Sequence, residues 1–242
     1  MTNQKLRFIS FGATFLATLL LFSSIFRAIE PYPLLISDVS KEAEQSETVI
    51  VLDAGHGGED GGATGTNGVL EKDLNLQIAR DLAALLRLAG YEVVETRTED
   101  RLLCEPETKK GHRKQRDLEN RLAVTAQYEN CILVSIHMNT FPNQSCEGTQ
   151  VWYSQSNEAS AELARAVQER VRAVLQPQNH RKIKAATSGI YLLRHAEIPA
   201  ILVECGFLST PAECERLCDP AYQSALVTVL FSSISEKVTA QS

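Results

Sequence analysis

The sequence has no excess of basic residues, and this absence limits the classes of partner to consider. Its 242 residues include 24 Lys and Arg against 30 Asp and Glu, giving a net charge of −6. Proteins that bind nucleic acids usually present a basic surface, so we expect no nucleic-acid partner. The sequence also has no internal repeats, and its length and 44% hydrophobic residues suffice for one globular domain with a substantial core.

Two common site patterns are missing as well. The Gly-rich segment that follows residue 54 does not end in Gly-Lys-Ser/Thr, which excludes an NTPase with that phosphate-binding loop. Six cysteines occur, but none forms a Cys-x-x-Cys pair. Cys131 and Cys205 lie in apolar segments typical of buried strands, so we interpret the cysteines as structural thiols. An exported chain would still permit disulfides.

One long uncharged segment is present near the N-terminus. Phe8 to Phe26 has 19 residues without a charge, and it follows Lys5 and Arg7. A helix of that length spans roughly 28 Å, close to the hydrocarbon thickness of a membrane. Because the basic side of such a segment stays in the cytoplasm, we predict that the chain after it is exported and attached to the cell membrane.

The chain divides by composition into three parts. We predict a signal-anchor at residues 1–27, because no clear small-residue cleavage site is present. A cleaved signal peptide is the alternative. Residues 28–47 lack hydrophobic periodicity and predict a linker. A folded domain is predicted at 48–239.

Within that domain, strand-like and helix-like segments alternate. Apolar segments predict strands at 49–52, 91–97, 131–136, 149–153, 190–193 and 200–203. Helical periodicity predicts helices at 72–89, 116–128, 156–175 and 222–238. This alternation predicts an α/β fold whose sheet is covered by helices on both faces.

Polar side chains follow three of the predicted strands. One apolar segment leads to His56, the next to His137 and a third to Glu204. Sites in open α/β sheets form at the carboxyl ends of strands, so we expect these residues to lie close together. Glu71, which opens the first predicted helix, is a fourth candidate.

Two histidines and one glutamate match a catalytic zinc site, which uses three protein ligands and keeps one position for water. Zinc lowers the pKa of that water and polarises a carbonyl, and a separate carboxylate then serves as base and acid. Glu204 suits the second role, because hydrophobic surroundings should raise its pKa.

Other interpretations of these residues remain open. Glu71 could be a carboxylate favoured only by the helix dipole, and Glu204 could be a buried carboxylate paired with Arg194. Cys205 could be a nucleophile beside His195. Adjacent strand positions point to opposite faces, which argues against a shared site for Glu204 and Cys205.

Five motifs together resemble the N-acetylmuramoyl-L-alanine amidases of the type-3 zinc amidase family. Each motif alone is only weakly specific for the family, but the shared order and spacing of all five is highly specific. The match covers residues 48–238. In chain order the motifs are HGGEDGGATG, EKDLNLQIA, TRTED, SIHMN and GIYLLRHAEIPAILVECGFLS.

The resemblance implies a zinc amidase catalytic domain with peptidoglycan as its substrate. It implies Zn2+ on His56, Glu71 and His137, with Glu204 catalytic. It also implies a single domain with a six-stranded, mostly parallel sheet flanked by about five to six helices. The bond cut would be the amide between N-acetylmuramic acid and the L-alanine of the stem peptide.

Within that family the chain is most similar to the germination-specific amidases of spore formers. This similarity implies a role in the spore cortex, ahead of muramic-δ-lactam formation, and it leaves an accessory protein open. A vegetative autolysin of the same chemistry and a non-catalytic peptidoglycan-binding protein are the alternatives. The loop at 102–117 is longer and more charged than usual for the family, which leaves substrate preference open.

Overall fold

The central strands of this sheet are buried apolar segments that alternate their side chains between its two faces. The computed structural model describes residues 48–143 and 145–240. The predicted signal-anchor at 1–27 and the predicted linker at 28–47 lie outside the described residues. Among the helices that are described, none is both long and apolar enough to cross a membrane.

The described residues form a six-stranded sheet with the order β2-β1-β3-β6-β4-β5. The strands are β1 (Val49–Ala54), β2 (Val93–Glu95), β3 (Cys131–Asn139), β4 (Gln150–Tyr153), β5 (Lys184–Ala185) and β6 (Ala200–Phe207). β1, β2, β3 and β6 run parallel, whereas β4 pairs antiparallel with β6 and parallel with β5. The prediction of a six-stranded, mostly parallel sheet is confirmed.

Six α-helices surround this sheet within the described part of the chain. They are α1 (Glu71–Leu88), α2 (Arg113–Thr125), α3 (Ala159–Val174), α4 (Tyr191–His195), α5 (Pro211–Cys218) and α6 (Pro220–Thr239). A 3-10 turn at Lys110–His112 precedes α2. The helix itself starts at Arg113, three residues earlier than the predicted 116.

One predicted strand, at 190–193, is wrong, because this segment forms the short helix α4. Leu192 and Leu193 are both buried in the same apolar cluster, at 4% and 0% exposure. Two consecutive strand residues would face opposite sides of the sheet, so a helical turn is the conformation that buries both against one face. The sixth strand of the sheet is Lys184–Ala185 (β5) instead of residues 190–193.

The helix α5 was not predicted, although its start carries a recognisable signal. Pro211 occupies the first turn after Thr210, where a missing backbone N–H has no cost. Cys214 and Leu217 then pack into the core on one side of the helix. At eight residues the segment is too short for hydrophobic periodicity to stand out from its charged neighbours.

The core has two parts, one on each face of the sheet. Ile50, Leu52 and Val203 face the larger cluster, which includes side chains of α1, α3, α5 and α6. Val51 and Leu202, adjacent in sequence to those residues, face a smaller cluster that is covered by α2 and α4. Burial on both faces explains why the central strands read as continuous apolar segments.

Candidate metal centre and active site

Three of the predicted site residues meet at the carboxyl edge of the sheet. His56 lies two residues after β1, His137 lies near the end of β3, and Glu71 is the first residue of α1. One donor atom from each lies within 4.8 Å of those of the other two. β1 and β3 are neighbours in the sheet, and α1 returns over them, so three distant parts of the sequence form one cluster.

Glu71 is at the centre of this cluster. Its Oε1 lies 2.9 Å from Nδ1 of His137 and 3.2 Å from Nε2 of His56. The backbone N–H of Met138 donates to the same oxygen (3.0 Å), and that of Ala63 donates to Oε2 (2.8 Å). Only 4% of Glu71 is exposed, so these donors fix the carboxylate in a site with little competing water.

The backbone at His56 is held in an unusual conformation by two buried arginines. His56 has φ of 61°, in the left-handed region that non-glycine residues rarely adopt. Arg121 donates to the carbonyl oxygens of His56 (2.6 Å) and Ala54 (2.7 Å). Arg97 donates to those of Ala54 (2.8 Å) and Gly55 (3.0 Å). The two guanidinium groups thus fix three consecutive carbonyls of the turn that carries His56.

Asp53 compensates the charge of Arg121 in the interior. Its Oδ1 accepts hydrogen bonds from Arg121 (2.7 Å) and from the hydroxyl of Thr96 (2.7 Å), while Oδ2 accepts one from Ser135 (2.6 Å). Burial works to raise the pKa of Asp53, but Arg121 and the two hydroxyls outweigh it and lower that pKa to about 2. Asp53 is therefore ionised throughout the neutral range.

Two positions that adjoin the three-residue cluster, Gly55 and Gly62, require glycine. A methyl group on Gly55 would lie 2.2 Å from Cε1 and from Nε2 of the His137 ring. At Gly62, which has φ of 67°, it would lie 2.6 Å from Oε2 of Glu71. Contacts this short would displace the side chains, so the Gly-rich segment serves to let backbone approach the cluster closely.

The charges around His56 are coupled. Its Nδ1 lies 3.0 Å from Oδ1 of Asp60, on the side away from Glu71. Burial works to lower the pKa of His56, but the carboxylates of Asp60 and Glu71 raise it to about 9. Burial also works to raise the pKa of Glu71, and His137 and His56 hold it well below its usual range. A metal ion binding at His56 would therefore release a proton.

Glu204 lies beside the cluster on β6. It pairs in register with His137 of β3, and its buried Oε2 has no hydrogen-bond partner among the described residues. Glu204 lines a cavity of about 220 Å³, together with His56 and His137 and with side chains from α2 and α4. Burial, and to a lesser extent the charge of Glu71, raises the pKa of Glu204 to about 8.

The alternatives raised by the sequence do not match this geometry. Arg194 is exposed and makes no ion pair with Glu204 within the described part of the chain. Cys205 is 0% exposed and faces the larger core cluster, away from the cavity. Burial raises the pKa of the Cys205 thiol, and this opposes formation of a thiolate nucleophile. All six cysteines are free thiols.

Several supporting residues were missed by sequence reasoning. Arg121, Asp53 and Asp60 make the contacts described above, and Asn75 donates to Glu71 (3.4 Å) and to the carbonyl of Gly55 (3.1 Å). One signal was available for Asp53, because a charged residue within an apolar strand needs a buried partner. The sequence does not say that the partner is Arg121, which lies 68 residues further along the chain.

The chemistry of the donor set fits a zinc ion. Two imidazoles and one carboxylate are the ligands of many catalytic zinc sites, and Asp60 has the position of a carboxylate that orients a histidine ligand. The partnerless Oε2 of Glu204 provides a separate carboxyl group at the same cavity. His56, Glu71 and His137 could therefore hold a metal while Glu204 stays free for proton transfer.

The fold and the site define an α/β protein with a candidate metal site of the hydrolase type at the carboxyl edge of its sheet. Comparison with known families makes the assignment specific. Residues 50–236 match the family model described as Amidase_3: N-acetylmuramoyl-L-alanine amidase, and the chain belongs to this family.

Individual relatives agree with that assignment. The chain is 34% identical over 237 residues to the germination-specific N-acetylmuramoyl-L-alanine amidase of Bacillus subtilis, covering 96% of this chain and 94% of the relative. It is 29% identical to the amidase LytC of the same organism, covering 72% of this chain but 32% of LytC.

Among solved structures, the chain is similar to the CwlD amidase from Clostridioides difficile, which was solved in complex with the GerS lipoprotein. The TM-score is 0.76 at 34% identity, over 80% of this chain and 99% of that one. The family and these relatives confirm the predicted N-acetylmuramoyl-L-alanine amidase activity on peptidoglycan.

Proposed function

We propose that this protein is a zinc-dependent peptidoglycan amidase, with His56, Glu71 and His137 as the zinc ligands and Glu204 as the proton-transferring residue. The observation that carries the proposal is the convergence of those three side chains within 4.8 Å, beside a cavity that Glu204 lines. The substrate bond joins the lactyl carbonyl of N-acetylmuramic acid to the amino group of L-alanine.

When bound, zinc would supply a Lewis acid for the scissile carbonyl and for the attacking water. Glu71 would keep its position during turnover, because two backbone N–H groups hold its two carboxylate oxygens. The two buried arginines would keep the turn at His56 from relaxing out of its left-handed conformation. These residues thus preorganise the centre before substrate arrives.

Glu204 would move the proton. As a carboxylate it accepts a proton from water while the water oxygen bonds to the lactyl carbonyl carbon. As a carboxylic acid it donates that proton to the amide nitrogen while the C–N bond breaks, which yields a lactyl carboxylic acid and a free L-alanine amine. The lactyl acid then loses its own proton to solvent. Burial favours the neutral form of Glu204 and so helps it hold the proton between the two transfers.

Metal removal gives a direct test. Chelation should abolish release of stem peptide from purified peptidoglycan, and added Zn2+ should restore it. Cys205→Ala should retain the parent activity, because this thiol is buried on the far face of β6. The measurement is chromatographic detection of released peptides. Activity that survives chelation, or that disappears in Cys205→Ala while the fold is intact, would instead support a cysteine hydrolase.

We further propose that the substrate is spore cortex. Support comes from the germination-specific relative of Bacillus subtilis, which this chain matches over nearly all of both lengths. A Bacillus subtilis strain lacking that relative provides the test: expression of this chain should restore muramic-δ-lactam in the cortex, measured by muropeptide analysis. Peptide release from vegetative wall without δ-lactam would favour the autolysin interpretation.

We propose an exported location to match this substrate, with residues 1–27 as the membrane anchor. The uncharged segment from Phe8 to Phe26 and the basic residues before it support this. An accessory lipoprotein is also part of the proposal, because the related CwlD amidase was solved in complex with one.

A further inference from the structure

A second groove opens beside the metal-competent cluster, away from the cavity that Glu204 lines. It has a volume of about 430 Å³ and is lined by six uncharged residues: Thr64, Thr66, Thr140, Phe141, Pro142 and Ser209. We propose that this neutral groove binds the glycan strand of the substrate, with the Phe141 ring packing against the face of a sugar. This inference rests on the proposed amidase function and names which half of the substrate lies on which side of the centre.

The groove is built directly onto the residues that hold Glu71. Thr64 follows Ala63, whose N–H donates to Oε2 of Glu71 (2.8 Å). Phe141 lies four residues after His137 and three after Met138, whose N–H donates to Oε1 (3.0 Å). A substrate whose amide bond lies at the cluster would therefore extend into the groove on one side.

The groove and the Glu204 cavity share no lining residue, and they adjoin different core clusters. Leu192 and Leu202 line the cavity, and both belong to the smaller core cluster. Next to the groove, a methyl group on Gly65 would lie 2.6 Å from Sγ of Cys214, which belongs to the larger cluster. An amide substrate has two parts, one on each side of the scissile bond, and the two separate sites provide one place for each part.

The charges of the lining residues indicate that the stem peptide lies in the Glu204 cavity and the glycan in the groove. The cavity is lined by two charged side chains that reach solvent, Asp60 and Lys114, which suits a stem peptide with its carboxylates and amines. The groove contains no charged residue among its lining, which suits a neutral sugar chain. Saccharides present hydroxyl groups at their edges and C–H groups on their faces, so they need both hydrogen-bonding and apolar partners.

The groove offers both kinds of partner. The Phe141 side chain is 53% exposed, although large apolar side chains are normally buried. The threonines at 64, 66 and 140 are exposed as well, and their hydroxyls make no hydrogen bond to other described residues. An exposed ring among free hydroxyls provides an amphipathic surface that a sugar can match on both counts.

Hydrogen bonds to one short segment hold the groove open. The N–H of Phe141 donates to Oγ of Ser209 (3.0 Å), and the N–H of Thr66 donates to the carbonyl of Leu208 (3.2 Å). The N–H of Leu208 in turn donates to the carbonyl of Asn139 (2.8 Å). Both walls are thus fixed to the segment that follows β6, and the site exists before ligand binds.

The test measures binding of peptide-free glycan chains whose lactyl carboxyl groups are blocked as methyl esters, so that the chains are uncharged and carry no stem peptide. Phe141→Ala should weaken that binding by about three- to tenfold, because it removes the aromatic surface but leaves the backbone contact to Ser209. Phe141→Tyr should keep it near the parent value. Leu88→Ala is the matched control, since Leu88 is also exposed (85%) but lies at the end of α1 that is remote from Glu71.

The result is independent of the proposed catalytic function. Equal glycan binding by Phe141→Ala and Leu88→Ala would overturn the proposal, as would a loss of affinity for free stem peptide instead of glycan. Absence of glycan binding by the parent would also overturn it. Failure of the amidase function would appear separately, as a parent protein that releases no peptide from peptidoglycan when loaded with zinc.

Discussion

Glu204→Gln should lower kcat for peptide release by about 10²- to 10⁴-fold, the range that a positioned general acid–base contributes. The amide side chain keeps the size of the carboxyl group but cannot accept the proton from water at neutral pH. Glu204 lies outside the cluster of three donor side chains, so the variant should still bind one equivalent of zinc. Metal analysis and peptide release measured on the same preparation test both statements.

Glu197→Gln is a suitable control, because it removes the same charge from an exposed position just before the same strand. Its kcat should equal that of the parent. A Glu204→Gln protein that loses zinc would make Glu204 a ligand rather than the proton carrier. If instead the variant keeps both zinc and activity, another group must transfer the proton.

The parts of the fold that could be predicted are those set by local hydrophobic pattern. The central strands at β1, β3 and β6 are buried on both faces, and such segments are visible in a sequence as continuous apolar runs. The segment at Tyr191–His195 has the same appearance but a different outcome, because both Leu192 and Leu193 pack on one face of the sheet. Whether this segment is a strand or a helix is decided by the residues that pack around it, and the local hydrophobic pattern does not show those contacts.

The candidate site also has one part that the sequence predicts and another that it does not. His56, His137 and Glu204 could be proposed because each follows or ends an apolar strand, and parallel strands end at one edge of a sheet. The strand order that makes β1, β3 and β6 neighbours is fixed by packing across the whole domain. The groove at Phe141 could not be found either, since its walls come from three separate segments.

Arg121 shows how strongly the site depends on the interior beneath it. It is 2% exposed and pairs with Asp53 (2.7 Å) and with Asp117 (2.7 Å), while its guanidinium also donates to the carbonyl of His56. Burial works to lower the pKa of Arg121, but the two aspartates raise it above its usual value, so the group stays charged. The same side chain therefore pairs with two buried carboxylates and holds the turn of a candidate ligand.

Arg121→Met should lower the free energy of unfolding by about 3–5 kcal/mol, because it leaves buried carboxylates without their counter-charge. Methionine fills much of the volume, so the loss reports on charge and hydrogen bonding rather than on a cavity. Zinc affinity of the folded fraction should also fall, by about 10- to 100-fold, since the turn at His56 loses two of its carbonyl contacts. Denaturant unfolding and zinc titration measure the two effects.

The same helix provides the control for this prediction. Arg116 pairs with Glu119 at 2.8 Å, but its side chain is 59% exposed, so Arg116→Met should cost at most about 1 kcal/mol and leave zinc affinity unchanged. Equal unfolding free energies for the two variants would show that the interior tolerates uncompensated Asp53. Loss of stability with normal zinc affinity would separate the two roles of Arg121 and leave Arg97 as the residue that holds the His56 turn.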